Sequence, residues 1–155
     1  MPPLGKLPSL EILRIEEMVS VKMVGDEFLG IGICDHNHIH GTFSSSSSSS
    51  SSVVAFPKLE KLDLGIMLQL EEWDFGKEDI TIMPQVKSLS IFFCEKLKSL
   101  PDQLLRSTTL ESLEIADVPI VEENFKKDTG KDWSKISHIP NILISRRYEQ
   151  GGPSR

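Results

Sequence analysis

Four stretches of this chain place apolar residues in the same order and at the same spacing. They read LPSLEILRIEEMVSV from Leu7, FPKLEKLDLGIMLQL from Phe56, MPQVKSLSIFFCEKL from Met83 and STTLESLEIADVPIV from Ser107. Aligned without gaps, the first column holds Leu10, Leu59, Val86 and Leu110. Three residues on come Leu13, Leu62, Leu89 and Leu113, and two further on Ile15, Leu64, Ile91 and Ile115. The series closes with Met18, Met67, Cys94 and Val118, then Val21, Leu70, Leu97 and Val121. The middle pair has period two, so both of its side chains point to one face of a short strand. The flanking apolar positions turn inward as the chain bends away. One such unit cannot bury its apolar side alone, whereas stacked neighbours bury it jointly.

The pattern LxxLxLxxCxxL is that of a leucine-rich repeat. It predicts an α/β solenoid with a short parallel sheet on its concave face, an irregular or short-helical convex side, and a C-terminal helical cap. Successive units begin 27 residues apart between Leu59 and Val86, and 24 between Val86 and Leu110. From Leu10 to Leu59 the gap is 49, and VGDEFLGIGICDHNHIHGTFSSSSSSSSSVVA stands where another unit would be expected. This divides the chain into a repeat at 1–25, an insertion with a histidine cluster and serine run at 26–55, and three repeats at 56–117. A cap at 118–144 and a disordered tail at 145–155 follow. On the convex side, Leu100, Leu104 and Leu105 have helical spacing, and Pro101 suits the start of a short helix. VPIVEENFKKDTGKDW reads as one more helix, with Val121 and Phe125 on one side and Gly130 as its stop. Trp133, Ile136, Ile139 and Ile142 are expected to cover the open end of the core.

Four segments resemble the C-terminal leucine-rich-repeat region of plant intracellular disease-resistance proteins of the coiled-coil, nucleotide-binding class. PPLGKLPSLEILRI is similar to the entry to a late repeat there, and VKMVGDEFLG to the segment before a variable insertion. FPKLEKLDLGIMLQLEEWDF resembles the resumption after it, and VPIVEENFKKDTGKDWSKISHIPNI the chain terminus. The order and spacing of the four make the match specific over about residues 2–144. Val118 stands where that terminus usually has cysteine, and Asn124 where it usually has arginine. The resemblance implies a protein-binding module of plant innate immunity, cytoplasmic, forming part of a larger protein. It implies as partners a pathogen effector, a host protein under guard, or the nucleotide-binding domain of the same polypeptide. A substrate-recognition module of a ubiquitin-ligase adaptor is the alternative, although no F-box-like segment is present. A truncated gene product without independent function is the other.

Composition narrows the chemistry. The 155 residues carry a formal charge of -6, which argues against a nucleic-acid surface. No apolar run reaches membrane-spanning length. The two cysteines, Cys34 and Cys94, form no CxxC pair and suggest a reducing compartment. His36, His38 and His40, beside Cys34 and Asp35, are metal-ligand types at alternating spacing. They sit in an insertion beside nine serines, however, and read as a solvated loop without a metal. His138 reads as a packing or capping residue. TGKD at Thr129 lacks the glycine and hydroxyl of a phosphate loop, and no catalytic constellation appears, so neither cofactor nor enzymatic activity is expected. What remains is the outward face of the strands. Its columns are Ile12, Lys61, Ser88 and Ser112; then Arg14, Asp63, Ser90 and Glu114; then Glu16, Gly65, Phe92 and Ala116. Arg14, Glu16, Asp63, Ser90, Phe92 and Glu114 are the expected protein-binding residues, with Phe92 at the centre because it is aromatic between small neighbours.

Overall fold

The computed structural model describes residues 4–29, 54–75 and 80–151. The strands are β1 (Ile12–Glu16), β2 (Met23–Val24), β3 (Val54–Ala55), β4 (Lys61–Gly65), β5 (Glu72–Trp73), β6 (Thr81–Ile82), β7 (Ser88–Phe92), β8 (Ser112–Ala116), β9 (Asn141–Ile144) and β10 (Arg147–Gln150). The helices are all short: α1 (Asp26–Leu29), α2 (Asp102–Leu105), α3 (Pro119–Asn124) and α4 (Trp133–Ile136). The principal sheet runs β1-β4-β7-β8-β9-β10. Its first five strands are parallel, and β10 turns back antiparallel to β9. Two small parallel pairs, β2 with β5 and β3 with β6, accompany it.

The expected α/β fold with a parallel sheet and few short helices is what forms, and it is compatible with leucine-rich-repeat packing. Each LxL segment is a strand, and each pairs with the next in the same register. Leu13 lies opposite Leu62, Leu62 opposite Leu89 and Leu89 opposite Leu113; Ile15, Leu64, Ile91 and Ile115 follow the same order. In the second, third and fourth copies all five apolar columns are buried. Each such side chain contributes about 1.5–3 kcal/mol relative to exposure. In the first copy Leu10, Leu13, Met18 and Val21 are only partly buried, because β1 has a neighbour on one side only among the described residues. Cys94 is buried in its column, its thiol donating to the Phe92 carbonyl at 3.3 Å, and burial pushes its pKa above the usual 9.0.

The end of the chain departs from expectation. The helical cap foreseen at 118–144 is interrupted by a strand, and residues 147–150 of the expected tail form another. The reason lies in SHIPNILIS: Ile139, Ile142 and Ile144 repeat the LxxLxL spacing, and β9 joins β8 with Ile142 opposite Leu113 and Ile144 opposite Ile115. Ile139, Ile142 and Ile144 are buried like their counterparts in the earlier copies. The helix expected to run to Gly130 stops at Asn124. Phe125 is buried, but Lys126, Lys127 and Asp128 after it are exposed and offer no apolar face to hold another turn. The chain folds back so closely that a Cβ on Gly130 would collide with the Asn124 carbonyl, and the Asp132 amide donates to that carbonyl at 2.9 Å. Pro101 does precede α2, as its position suggested.

The insertion is described at its two ends only. Residues 30–53, including Cys34, Asp35, His36, His38, His40 and the serine run, lie outside the described residues. At the entry, α1 buries Phe28 and Leu29; at the exit, Phe56 is fully buried, with its ring centroid 5.0 Å from that of Phe28. The Phe56 amide donates to the Gly5 carbonyl at 2.8 Å, and Gly5 packs so tightly on the Leu29 backbone that any side chain there would clash.

Candidate protein-binding face

Register builds the outward face as the sequence columns foresaw. Arg14 lies opposite Asp63, Asp63 opposite Ser90 and Ser90 opposite Glu114; Glu16, Gly65, Phe92 and Ala116 form the adjoining row. Adjacent strands sit about 4.8 Å apart, so each row is a continuous ladder of side chains.

The exposure of the expected contact residues is uneven. Arg14 and Glu16 are exposed, Glu114 and Phe92 are partly buried, but Asp63 is only 2% exposed and Ser90 6%. Asp63 and Ser90 are thus not the solvated contact residues the alternation suggested. A short polar side chain is overshadowed by longer neighbours on the same face, across the sheet as well as along its own strand, and alternation alone does not report that. Over Asp63 those neighbours are charged. Arg14 donates from Nε and Nη2 to Asp63 Oδ2 at 3.2 and 3.1 Å, and the Lys61 ammonium lies 3.5 Å from the same oxygen. Arg14 also stands 3.8 Å from Glu16. The face is a network of opposite charges, with Ile12 (63% exposed) on β1, the strand at its edge among the described residues. Replacing Arg14 by alanine removes both hydrogen bonds to a buried carboxylate. We expect a loss of about 1–3 kcal/mol in urea unfolding, which an unchanged midpoint would contradict.

Phe92 occupies the position its small neighbours predicted. A Cβ on Gly65 would lie 3.7 Å from the Phe92 ring and 3.3 Å from Glu16 Cγ, so ring and acidic side chain both lean over the hollow that glycine leaves. Sequence columns missed the residue just beyond each strand. Glu17, Ile66, Phe93 and Asp117 all have positive φ, between 52° and 62°. The amides of Glu17, Ile66 and Phe93 donate at 3.1 Å to the carbonyls of Gly65, Phe92 and Ala116. Phe93 is 46% exposed. Alternation after Ile91 sends only Phe92 outward; the positive φ at Phe93 is what exposes the second phenylalanine.

A further hollow of about 1020 Å³ opens elsewhere, lined by Trp73, Phe75, Asp102, Arg106 and Lys135 among others. The Lys135 pKa is raised by its hydrogen bond to Asp102 and then by that to Asp132, tying α4 to α2. Among the described residues no group of three or more His, Cys, Asp or Glu is placed to hold a metal ion. No helix among them is long and apolar enough to cross a membrane. His138 is exposed in a turn after α4.

A parallel sheet with one LxxLxL segment per strand, and a charged outward face around a half-buried aromatic, is compatible with a leucine-rich-repeat protein. Its homologues are plant disease-resistance proteins. Disease resistance RPP8-like protein 3 of Arabidopsis thaliana is 37% identical over 87 residues, which is 56% of this chain and 9% of that protein. Disease resistance protein RPP8 of the same plant is 33% identical over 87 residues, again 56% and 9%. Putative disease resistance protein RGA4 of Solanum bulbocastanum is 40% identical over 52 residues, 34% of this chain and 5% of that protein. The chain therefore spans about a tenth or less of the curated relatives it matches. No family model matches the chain, and no solved structure does.

Proposed function

We propose that this chain is a leucine-rich-repeat solenoid from the C-terminal part of an intracellular, nucleotide-binding plant disease-resistance protein, and that it binds protein through its concave sheet face. Its role is recognition of a pathogen effector or guarded host protein, or restraint of the nucleotide-binding switch of the same polypeptide, in the cytoplasm. It works by binding rather than catalysis, without cofactor, metal or nucleic acid. The relatives support a part in plant immunity within a larger protein. The observation that carries the choice of surface is Phe92, held between Gly65 and Ala116 and only partly buried. A few residues carry most of an interface's energy, and aromatic anchors are prominent among them.

The test is co-expression of the chain with RPP8-like protein 3 from which the matching segment has been deleted. Phe92→Ala is expected to weaken the association by about 2 kcal/mol, roughly thirtyfold, with the fold intact by circular dichroism. Undiminished binding by a folded Phe92→Ala chain would put the surface elsewhere.

A further inference from the structure

The strand ends carry a feature that stacking alone does not explain. Each repeat leaves its strand through one residue in the left-handed region, a conformation that bulky side chains adopt at a cost and β-branched ones least readily. In sheet order these positions hold Glu17, Ile66, Phe93, Asp117 and, after β9, Ser145, so the two apolar members stand between Glu17 and Asp117. Core formation does not require apolar residues there, since Phe93 is 46% exposed and Ile66 only partly buried. Phe92, next to Phe93, lies over Gly65, and Leu68 two residues beyond Ile66 is also exposed. Together they make an apolar strip along the rim where the parallel strands end.

Carboxylates frame this strip. Glu16 and Glu17 stand on its β1 side, Glu114 and Asp117 on its β8 side, and Glu95 follows Phe93 by two residues. Of the nearby cations, Arg14 is engaged with Asp63 and Glu16 and Lys96 with Gln69 Oε1 at 2.8 Å; Arg146 stands exposed just past the end of β9, so the carboxylates outnumber the cations around the strip. An apolar strip ringed by acidic groups is complementary to an apolar side chain flanked by basic ones.

We infer that the rim formed by Ile66, Phe92 and Phe93, with Glu16, Glu17, Glu114 and Asp117 around it, docks a basic protein segment that presents an aliphatic or aromatic side chain between lysines or arginines. This rests on the binding face proposed above and specifies the chemistry of its partner. The apolar side chain packs on Phe93 and Ile66, and the flanking cations meet the carboxylates of the first and fourth copies. Affinity falls as salt rises, because the charges on both sides are exposed.

The probe is a fluorescent hexapeptide, lysine-arginine-leucine-leucine-arginine-lysine, titrated against the full chain by anisotropy. Its counterpart has glutamate at the four basic positions. The basic peptide is expected to bind, and the acidic one not. Phe93→Asn and Asp117→Lys should each weaken binding about tenfold. Asparagine tolerates the left-handed region, so Phe93→Asn should melt no lower than the parent chain, separating lost contact from lost fold. Absence of binding by the basic peptide, equal binding of the two peptides, or indifference to both substitutions overturns the proposal. If the chain dimerises through this rim, with Phe93→Asn abolishing dimers, the occupant is a second copy and the proposal also fails. Should Phe92→Ala abolish association with the truncated relative while Phe93→Asn and Asp117→Lys leave that association and the peptide unchanged, the rim inference falls and the concave-face reading stands.

Discussion

Replacing Leu89 by alanine is expected to cost about 2–5 kcal/mol, a large share of the chain's stability. Leu89 is buried on the central strand β7, opposite Leu62 on one side and Leu113 on the other. Truncation opens a cavity that strands fixed on both flanks cannot close, and domains of this size hold only about 5–15 kcal/mol in reserve. Leu13 is the internal comparison. It occupies the same column on β1 but is only partly buried, with solvent already on one side. Leu13→Ala should therefore cost clearly less. Urea unfolding of both variants measures the difference, and equal losses would mean that the column does not define the core.

The second large effect concerns association. Isolated in solution, the chain is expected to self-associate as its concentration rises. Leu7, Ile12, Val19 and Met23 are exposed around the first repeat, and Leu10, Leu13, Met18 and Val21 behind them are only partly covered. The outer edge of β1 is unpaired among the described residues, so its backbone groups are open to another strand. Repeats at the end of a stack need a polar outer side to remain soluble, and this one lacks it. Sedimentation velocity over a concentration series is the measurement. Ile12→Lys with Val19→Lys should shift the distribution toward monomer, and a parent chain that stays monomeric throughout would remove the basis for the prediction.

The sequence made the sheet legible because burial in a stack imposes one column of apolar residues per position, and four copies are enough to see it. The last strand escaped notice for a physical reason. Ile139, Ile142 and Ile144 obey the same spacing, but 29 residues separate Ile139 from Leu110, and two short helices fill the interval. The rows of the binding face were readable for the same reason as the core: parallel register without shifts carries alternation from strand to strand. Exposure along those rows was not readable. Asp63 is covered by Arg14 and Lys61, which precede it by 49 and by 2 residues, and only the first of these distances belongs to the repeat. The rim went unseen because backbone sign at Ile66 and Phe93 follows from how each strand ends, which no hydrophobic pattern encodes.

The closed neck of the insertion makes this position a natural graft point. Leu29 and Phe56 leave and rejoin the body within a few ångströms of Gly5, so the two ends of whatever is threaded between them are already held together. Loop closure penalises each doubling of such a segment by only about 0.6 kcal/mol. A gene encoding this architecture can lengthen, shorten or exchange that passage by replication slippage without disturbing its neighbours. An experimenter can put this to use: a fluorescent domain whose own termini lie close together, spliced in place of residues 30–53, tests whether the closed neck alone is enough to hold the fold.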